Sequence, residues 1–491
     1  MTPKKMRIVF ITSEMVPFAK TGGLADVSGT LPKEIQALGQ EVICFLPKYK
    51  KVDVNRYPLK EVVSRLQIPI GSEMETGRVF RFDDPSGVKV FFIDQPEYYS
   101  RDELYGTPLG DYPDNDRRFV FFQRGSLEAL RSLGIKPDVI HCQDWQTGLI
   151  PVYLKTLYAQ DSFFSKTKSI FTIHNLGYQG NFPPDSLSIT GLGWEEFRIE
   201  RLEFYGKVSF LKGALVYADS LSTVSPRYAQ EIQTKEYGCG MEGVLQQRRD
   251  DLSGIVNGID PVEWNPESDP DIPAHFSLKK WDGKKINKQM LQKENRFKMD
   301  ERIPLFGIIT RLIDQKGLDI LAPAIDGFMK RGAQLIVLGT GDEKYHQLFR
   351  DLGKKHPTQL GVHILFDAKL AKRIYAGCDI FLMPSRYEPC GLGQLISMRF
   401  GTVPLVRETG GLADTVKDFT SEESEGTGFV FKDYTSAALL KAVDRSLEAY
   451  RNPKAWAKLI KNGMKADFSW RASAKQYVQI YEKTERKAAR V

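Results

Sequence analysis

Three stretches of the 491-residue sequence combine glycines with charged side chains at points where an apolar run gives way to a helical pattern. The first, Lys20-Thr-Gly-Gly-Leu-Ala-Asp-Val27, pairs glycines, which let backbone N–H groups approach an anion, with a lysine at a helix N-terminus. It reads as a phosphate or sugar-phosphate site built on Lys20, Gly22 and Gly23, or as a tight turn beside a solvated lysine. The second, Thr310-Arg-Leu-Ile-Asp-Gln-Lys-Gly317, sets Arg311 and Lys316 five residues apart across a turn. Such a pair can clamp the two phosphates of a nucleoside diphosphate and stabilise it as a leaving group without a metal, or can be plain surface charge. In the third, Met383-Pro-Ser-Arg-Tyr-Glu-Pro-Cys-Gly-Leu-Gly-Gln394, Glu388 precedes the backbone N–H groups of Cys390, Gly391, Leu392 and Gly393, which suit sugar hydroxyls or phosphate. A carboxylate there can bond a substrate hydroxyl or stabilise positive charge on an oxocarbenium-like carbon. A glutamate that only caps the following helix is the alternative.

Two more run ends carry polar residues that core packing does not call for. His141-Cys-Gln-Asp-Trp-Gln-Thr-Gly148 holds Asp144, which can accept from two adjacent hydroxyls, and Trp145, whose indole can cover the C–H face of a pyranose. A helix N-cap beside a core tryptophan has the same pattern. Phe171-Thr-Ile-His-Asn-Leu-Gly-Tyr-Gln-Gly180 passes from a buried run into His174 and a glycine-bracketed loop, where the imidazole can bond a substrate or serve the structure. Glu408-Thr-Gly-Gly-Leu-Ala-Asp414 repeats the Thr-Gly-Gly-Leu-Ala-Asp string of residues 21–26, and marks a second glycine turn opening a helix.

The elements that must position these groups are short β-branched runs alternating with amphipathic segments of helical length, the pattern of a parallel-sheet α/β protein. The runs are residues 7–13, 41–47, 88–94, 138–143, 168–175, 220–225 and 254–257 in the first half, and 305–310, 334–340, 362–366, 379–385, 402–406 and 428–431 in the second. This predicts two Rossmann-like, doubly wound domains facing a deep cleft, residues 1–258 and 274–455. Pro261, Pro266, Pro270 and Pro273 break periodic structure between them, so residues 259–273 are expected to form a hinge. Residues 456–491 have no strand after them and are expected to cross back as a helix. Ligands of such sheets bind at the carboxyl ends of strands, and closure of the two halves is expected to bring both residue sets to one substrate.

Composition narrows the class. The net charge of +7, with 27% charged and 42% hydrophobic residues, is that of an ordinary globular chain, and its basic residues are interleaved with acids rather than massed for nucleic acid or membrane. Five cysteines without a C-x-x-C pair and six histidines without ligand spacing predict neither a disulfide framework nor a metal site. No apolar stretch approaches the ~18 residues of a membrane span, and no targeting segment is evident, so a cytoplasmic location is expected.

Taken together, the strings resemble the bacterial glycogen synthase and plant starch synthase family. The matching segments are Lys20–Asp26, Thr172–Asn175 with Tyr178–Gly180, Val256–Asp260, Arg311 with Lys316-Gly317, Pro384–Arg386 with Glu388–Leu392, and Thr409–Asp414. The resemblance implies a GT-B fold and a metal-independent, configuration-retaining transfer of glucose from ADP-glucose to the 4-hydroxyl at a non-reducing α-1,4-glucan end, with no cofactor. It implies that Lys20 contacts the donor near its phosphates, that Arg311 and Lys316 hold the diphosphate, and that Glu388 lies against the transferred glucose with backbone contacts from Cys390, Gly391 and Leu392. His174 and Asp144 would line the glucose, Asn257 would lie close by, and Phe366 would cover the adenine. The family's usual His-x-His-Asp-Trp-His is here His141-Cys-Gln-Asp-Trp-Gln146, with Gln143 and Gln146 in place of two histidines. A sucrose- or trehalose-forming transferase of the same build, or a catalytically silent glucan-binding protein, are the alternative functions. The resemblance leaves open the preference for ADP over UDP and the oligomeric state.

Overall fold

The computed structural model describes residues 5–107, 110–421 and 423–487. It divides into a first unit of Met1–Val224, Ala229–Ile255 and Trp470–Val491 and a second of Ser225–Tyr228 and Val256–Ser469.

In the first unit, strands β1 (Arg7–Ile11), β2 (Glu41–Pro47), β3 (Lys60–Ile70), β4 (Glu73–Asp83), β5 (Lys89–Asp94), β6 (Val139–Gln143), β7 (Lys168–Ile173), β8 (Ser220–Thr223) and β9 (Leu252–Gly254) form one sheet. Their order is β9-β8-β7-β6-β1-β2-β5-β4-β3. Pairing is parallel from β9 to β5, and antiparallel for β5 with β4 and β4 with β3. The parallel part is doubly wound, and its strand order reverses between β1 and β6, the point where such sheets bind ligands. β6 is buried along its whole length and β1 along all but its first residue, which is why their sequences read as continuous rather than alternating apolar runs. The helix Gly23–Ala37 that follows β1 buries Leu24, Val27, Leu31 and Ile35, one helical face.

β3 and β4 are the departure from the expected set of strands. This hairpin carries Lys60, Glu61, Arg65, Glu73, Glu75 and Arg78, shifts register twice and ends the sheet. The run expected at 254–257 is realised as β9 at Leu252–Gly254, because Leu252 pairs with Leu221 of β8 and the chain leaves the sheet after Gly254. The helix Trp470–Glu485 buries Trp470, Ala474, Tyr477 and Tyr481 within this unit. Tyr481 Oη meets His141 Nδ1 at 2.9 Å and Thr484 Oγ1 donates to Ser220 Oγ at 2.8 Å. Each large apolar side chain so buried contributes roughly 1.5–3 kcal/mol.

The second unit holds a parallel sheet of β10 (Leu305–Ile309), β11 (Gln334–Gly339), β12 (Leu360–Ile364), β13 (Ile380–Met383), β14 (Val403–Arg407) and β15 (Phe429–Phe431) in the order β12-β11-β10-β13-β14-β15. All five pairings are parallel, and the order reverses between β10 and β13. Phe306, Leu335, Ile380 and Leu405 lie in its main core with helix residues such as Phe328 and Leu439. A largely parallel sheet in one unit and a parallel sheet in the other, each wound both ways from a central strand, are the architecture the alternating pattern predicts. Among the described residues no helix is long and apolar enough to cross a membrane.

Candidate active site

In each sheet several candidate residues follow the two strands at the reversal point, β1 and β6 in one and β10 and β13 in the other, whereas His174 follows β7 and Phe366 follows the edge strand β12. In the first unit the loop leaving β1 carries Lys20, Gly22 and Gly23, and the chain leaving β6 carries Asp144. The loop is held by Glu14, buried at the end of β1's extension. Its Oε2 accepts the Thr21 N–H at 2.6 Å and the Gly22 N–H at 3.1 Å, and Oε1 accepts Thr21 Oγ1 at 2.6 Å and Tyr105 Oη at 2.8 Å. Lys20 is exposed and pairs with Asp26 at 2.6 Å, whose carboxyl burial pushes above its ordinary value against the pull of that lysine. Beside Gly22 there is open space where a side chain would stand, so its backbone is approachable from outside.

Asp144 has φ +54, a conformation uncommon for a residue with a side chain and a mark of strain at functional positions. It does not cap the turn it opens. Its Oδ1 instead accepts the His174 backbone N–H at 2.7 Å from the end of β7, so the carboxylate ties β6 to β7 across the sheet edge. Burial pushes this carboxyl up to about 7, outweighing the backbone donors of His174 and Asn175 that pull it down. An unfolded aspartate titrates near ~4, so the folded chain holds the proton over the interval up to about 7 and loses stability as pH rises through it. Asp144→Asn should therefore gain melting temperature relative to the parent between pH 5 and 7.5. A difference independent of pH would show that the carboxyl is not raised.

His174 Nε2 donates to Gln143 Oε1 at 2.7 Å, which fixes the proton on that nitrogen, and burial lowers its pKa to about 3. It is a neutral imidazole at physiological pH, suited to hydrogen bonding rather than to charge. Trp145 is buried against Phe119, Phe182 and Phe210 at ring separations of 5.0, 5.6 and 6.5 Å. A Cβ on Gly180 would come within 2.4 Å of its ring, so the indole shapes the wall behind Asp144.

In the second unit Arg311 and Lys316 follow β10, and Glu388 follows β13. The structure joins two of them directly. Lys316 Nζ lies 2.7 Å from Glu388 Oε2 and 3.0 Å from Oε1, and Ser385 Oγ donates to Oε2 at 3.0 Å. Glu388 is buried and does not cap the helix Gly393–Arg399. Arg311 is exposed at the head of the same turn.

Close backbone approach builds this arrangement. Gly317, at φ +71, lies so close to Pro384 that a Cβ would stand 1.9 Å from its carbonyl oxygen, and Gly410, at φ +43, would do the same at Glu388. The Gly411 N–H donates to the Glu388 and Pro389 carbonyls at 3.2 and 3.1 Å. The second Thr-Gly-Gly string thus lies against the backbone of the Glu388 loop and fixes its path. Cys390 is buried and takes the Asn257 backbone N–H, while burial pushes its thiol up to about 12. Asn257 is also buried, and among the described residues its Oδ1 has no hydrogen-bond partner. Gly391 and Leu392 are half-buried beside it, and Phe366, beyond β12, is 83% exposed.

Glu14 is the site residue that sequence reasoning does not single out, and an acidic residue between a buried strand and a glycine turn is a signal for it; Gln143 enters there only as a departure from the family string, and Ser385 only as a member of one. Among the described residues, no group of three or more His, Cys, Asp or Glu side chains is placed to hold a metal ion.

Residues 7–247 match the family described as starch synthase catalytic domain, and residues 289–466 match glycosyl transferases group 1. The chain is 47% identical over 478 residues to a glycogen synthase of Syntrophotalea carbinolica, covering 97% of this chain and 99% of that protein. It is 48% identical over 498 residues to a glycogen synthase of Desulforudis audaxviator, covering 98% and 97%. Among solved structures, the catalytic domain of starch synthase IV from Arabidopsis thaliana, bound to ADP and acarbose, superposes with a TM-score of 0.91 at 34% identity, covering 99% of this chain and all of that one.

Proposed function

The chain belongs to the glycogen and starch synthase family, and we propose that its two sets of strand-end residues divide the work of one glucosyl transfer. It is an ADP-glucose-dependent glucosyltransferase that lengthens an α-1,4-glucan. From the second unit, Arg311 and Lys316 take the diphosphate as its charge develops, Glu388 faces the glucosyl carbon, and the Cys390-Gly391-Leu392 backbone orients the sugar hydroxyls. Phe366 covers the adenine with its exposed ring. From the first unit, Lys20, the open backbone at Gly22 and the neighbouring Gly23 contact the donor near its phosphates, and Asp144 and the neutral His174 hold glucose hydroxyls. Trp145 supports Asp144 from behind.

The observation that carries this reading is the buried Glu388, bonded to Lys316 and Ser385 at the reversal point of the second sheet. A carboxylate and a phosphate-binding cation in contact are what a reaction needs when one carbon turns positive as a diphosphate turns negative. Asn257 Oδ1, without a partner among the described residues, supports it too, since a buried acceptor left open beside this loop suits a substrate hydroxyl.

The reading is tested by incubating the protein with ADP-glucose or UDP-glucose and, in separate arms, glycogen, fructose or glucose as acceptor, measuring nucleotide release, the product and the anomeric configuration of the new linkage. New α-1,4 linkages with ADP release support retaining transfer. Sucrose or trehalose as the product, or binding of glycogen without turnover, would replace it with one of the alternatives. Because the diphosphate is met by Arg311 and Lys316, transfer should proceed undiminished in millimolar EDTA; abolition by EDTA, with recovery on adding Mg²⁺, would remove the metal-free account.

A further inference from the structure

A cavity of about 930 Å³ opens in the second unit, lined by none of the residues discussed so far. Its floor is the amino-terminal edge of the sheet. Glu301 and Arg302 come just before β10, Asp379 immediately before β13 and Gly401 just before β14. The reaction's groups leave the carboxyl ends of β10 and β13, so the cavity is a separate site at the opposite edge. Its size is that of a pocket for a small organic ligand.

Two helices wall it, each by a single face. Trp281, Lys284, Lys285 and Lys288 recur at helical spacing at the start of Asp282–Glu294, and Trp456, Ala457, Ile460 and Lys461 do so on Pro453–Lys465. Tyr450 stands edge-on to Trp456 at 5.0 Å, and both rings are only partly buried.

The lining carries six basic side chains against two carboxylates. Lys284 is buried, and its Nζ donates to the Tyr375 and Phe400 carbonyls at 3.1 and 3.0 Å and to Thr402 Oγ1 at 2.5 Å. Lys288 is buried on Asp379 at 2.7 Å and neutralises it. Both are held by the protein: the Lys288–Asp379 pair leaves no net charge on the floor and burial lowers Lys284 to about 7, so the positive potential of the cavity comes from its rim. Lys285, Arg302, Arg451 and Lys461 are exposed at the rim, and among the described residues Lys461 has no hydrogen-bond or ion-pair partner for its ammonium. Lys285 pairs with the exposed Glu301 at 3.4 Å, and Arg302 pairs with the half-buried Asp300 at 2.9 Å. A concave surface of one sign concentrates anions, and aromatic walls select those with a ring body.

We propose that this cavity binds an organic phosphate, a phosphate ester carried on a sugar or a nucleoside. Its ring lies among Trp281, Tyr450 and Trp456, and its phosphate meets Arg451 and Lys461. Free phosphate leaves the aromatic walls unused, and a neutral glucan leaves the cations unused.

The test is calorimetry on the full chain with glucose 6-phosphate, AMP, inorganic phosphate and maltotriose, in the parent, in Lys316→Ala and in Arg451→Glu/Lys461→Glu. The expected result is that one of the two esters binds with Kd below ~1 mM, keeps that affinity in Lys316→Ala, and loses at least ~10-fold in the double variant. Which ester binds identifies the source. The double variant should retain the parent's melting temperature and its turnover of ADP-glucose; if it does not fold, quenching of Trp456 fluorescence by the ester, absent in Trp456→Phe, carries the same decision. Binding of neither ester, equal binding of inorganic phosphate or of maltotriose, or ester binding that disappears in Lys316→Ala and survives in the double variant would each overturn the proposal.

Discussion

Glu388→Gln is expected to lower turnover by about 10²- to 10³-fold while leaving ADP-glucose affinity close to the parent value. Gln keeps the shape of the side chain and an oxygen for Ser385 Oγ, but removes the charge. If Glu388 acts on positive charge that exists only as the glucosyl bond breaks, the loss falls on turnover and not on ground-state binding. A structural account of the residue also exists. Since its side chain caps no helix, that account is that Glu388 is the counter-ion of Lys316, at 2.7 Å and largely out of solvent. Its prediction differs: the Gln variant would lose stability, by up to ~3 kcal/mol for a pair broken at one partner, and would keep much of its turnover. Turnover, donor affinity and melting temperature measured on one preparation separate the two. Near-normal turnover with a lowered melting temperature would assign Glu388 to the framework.

The same residues show how far sequence reaches. Strands buried on both faces, such as β1, β6 and β13, were legible because their apolar runs are uninterrupted, and their ends because polar residues stop them abruptly. β3 and β4 were not, since an edge hairpin with one face in water and two register shifts has no clean period. The candidate residues could be named from their strings, but their partners could not. Lys316 and Glu388 are 72 positions apart, and His174 and Gln143 are 31 apart. What brings them together is the strand order, which places β10 beside β13 and β6 beside β7. The glutamine at 143 looks like the loss of a histidine until β7 is laid next to β6; it then supplies the acceptor that fixes the proton of His174. The indole of Trp145 reads from sequence as a platform for sugar as readily as a core ring, because Phe119, Phe182 and Phe210 arrive from three other segments.

Lys316→Ala should also cut turnover by about 10²-fold or more, the scale for removing one preorganised charge-stabilising group, and Arg311→Ala should act in the same direction. The contact between Lys316 and Glu388 makes the first of these ambiguous by itself, because removing the ammonium strips a buried carboxylate of its cation as well as the diphosphate of its clamp. The double variant Lys316→Ala/Glu388→Gln resolves it. If Lys316 worked only by neutralising Glu388, a neutral Gln would need no cation, and the double variant would turn over no more slowly than Glu388→Gln alone. A lysine that takes the leaving diphosphate still matters when residue 388 is neutral, so the double variant should be slower than Glu388→Gln by a further factor of ~10 or more. Inhibition by ADP gives the independent reading: the clamp predicts that ADP inhibits Lys316→Ala at least ~10-fold more weakly than the parent, whereas a counter-ion role leaves ADP inhibition where it was. Unchanged ADP inhibition together with a double variant equal to Glu388→Gln would mean that the diphosphate is held by groups other than Lys316.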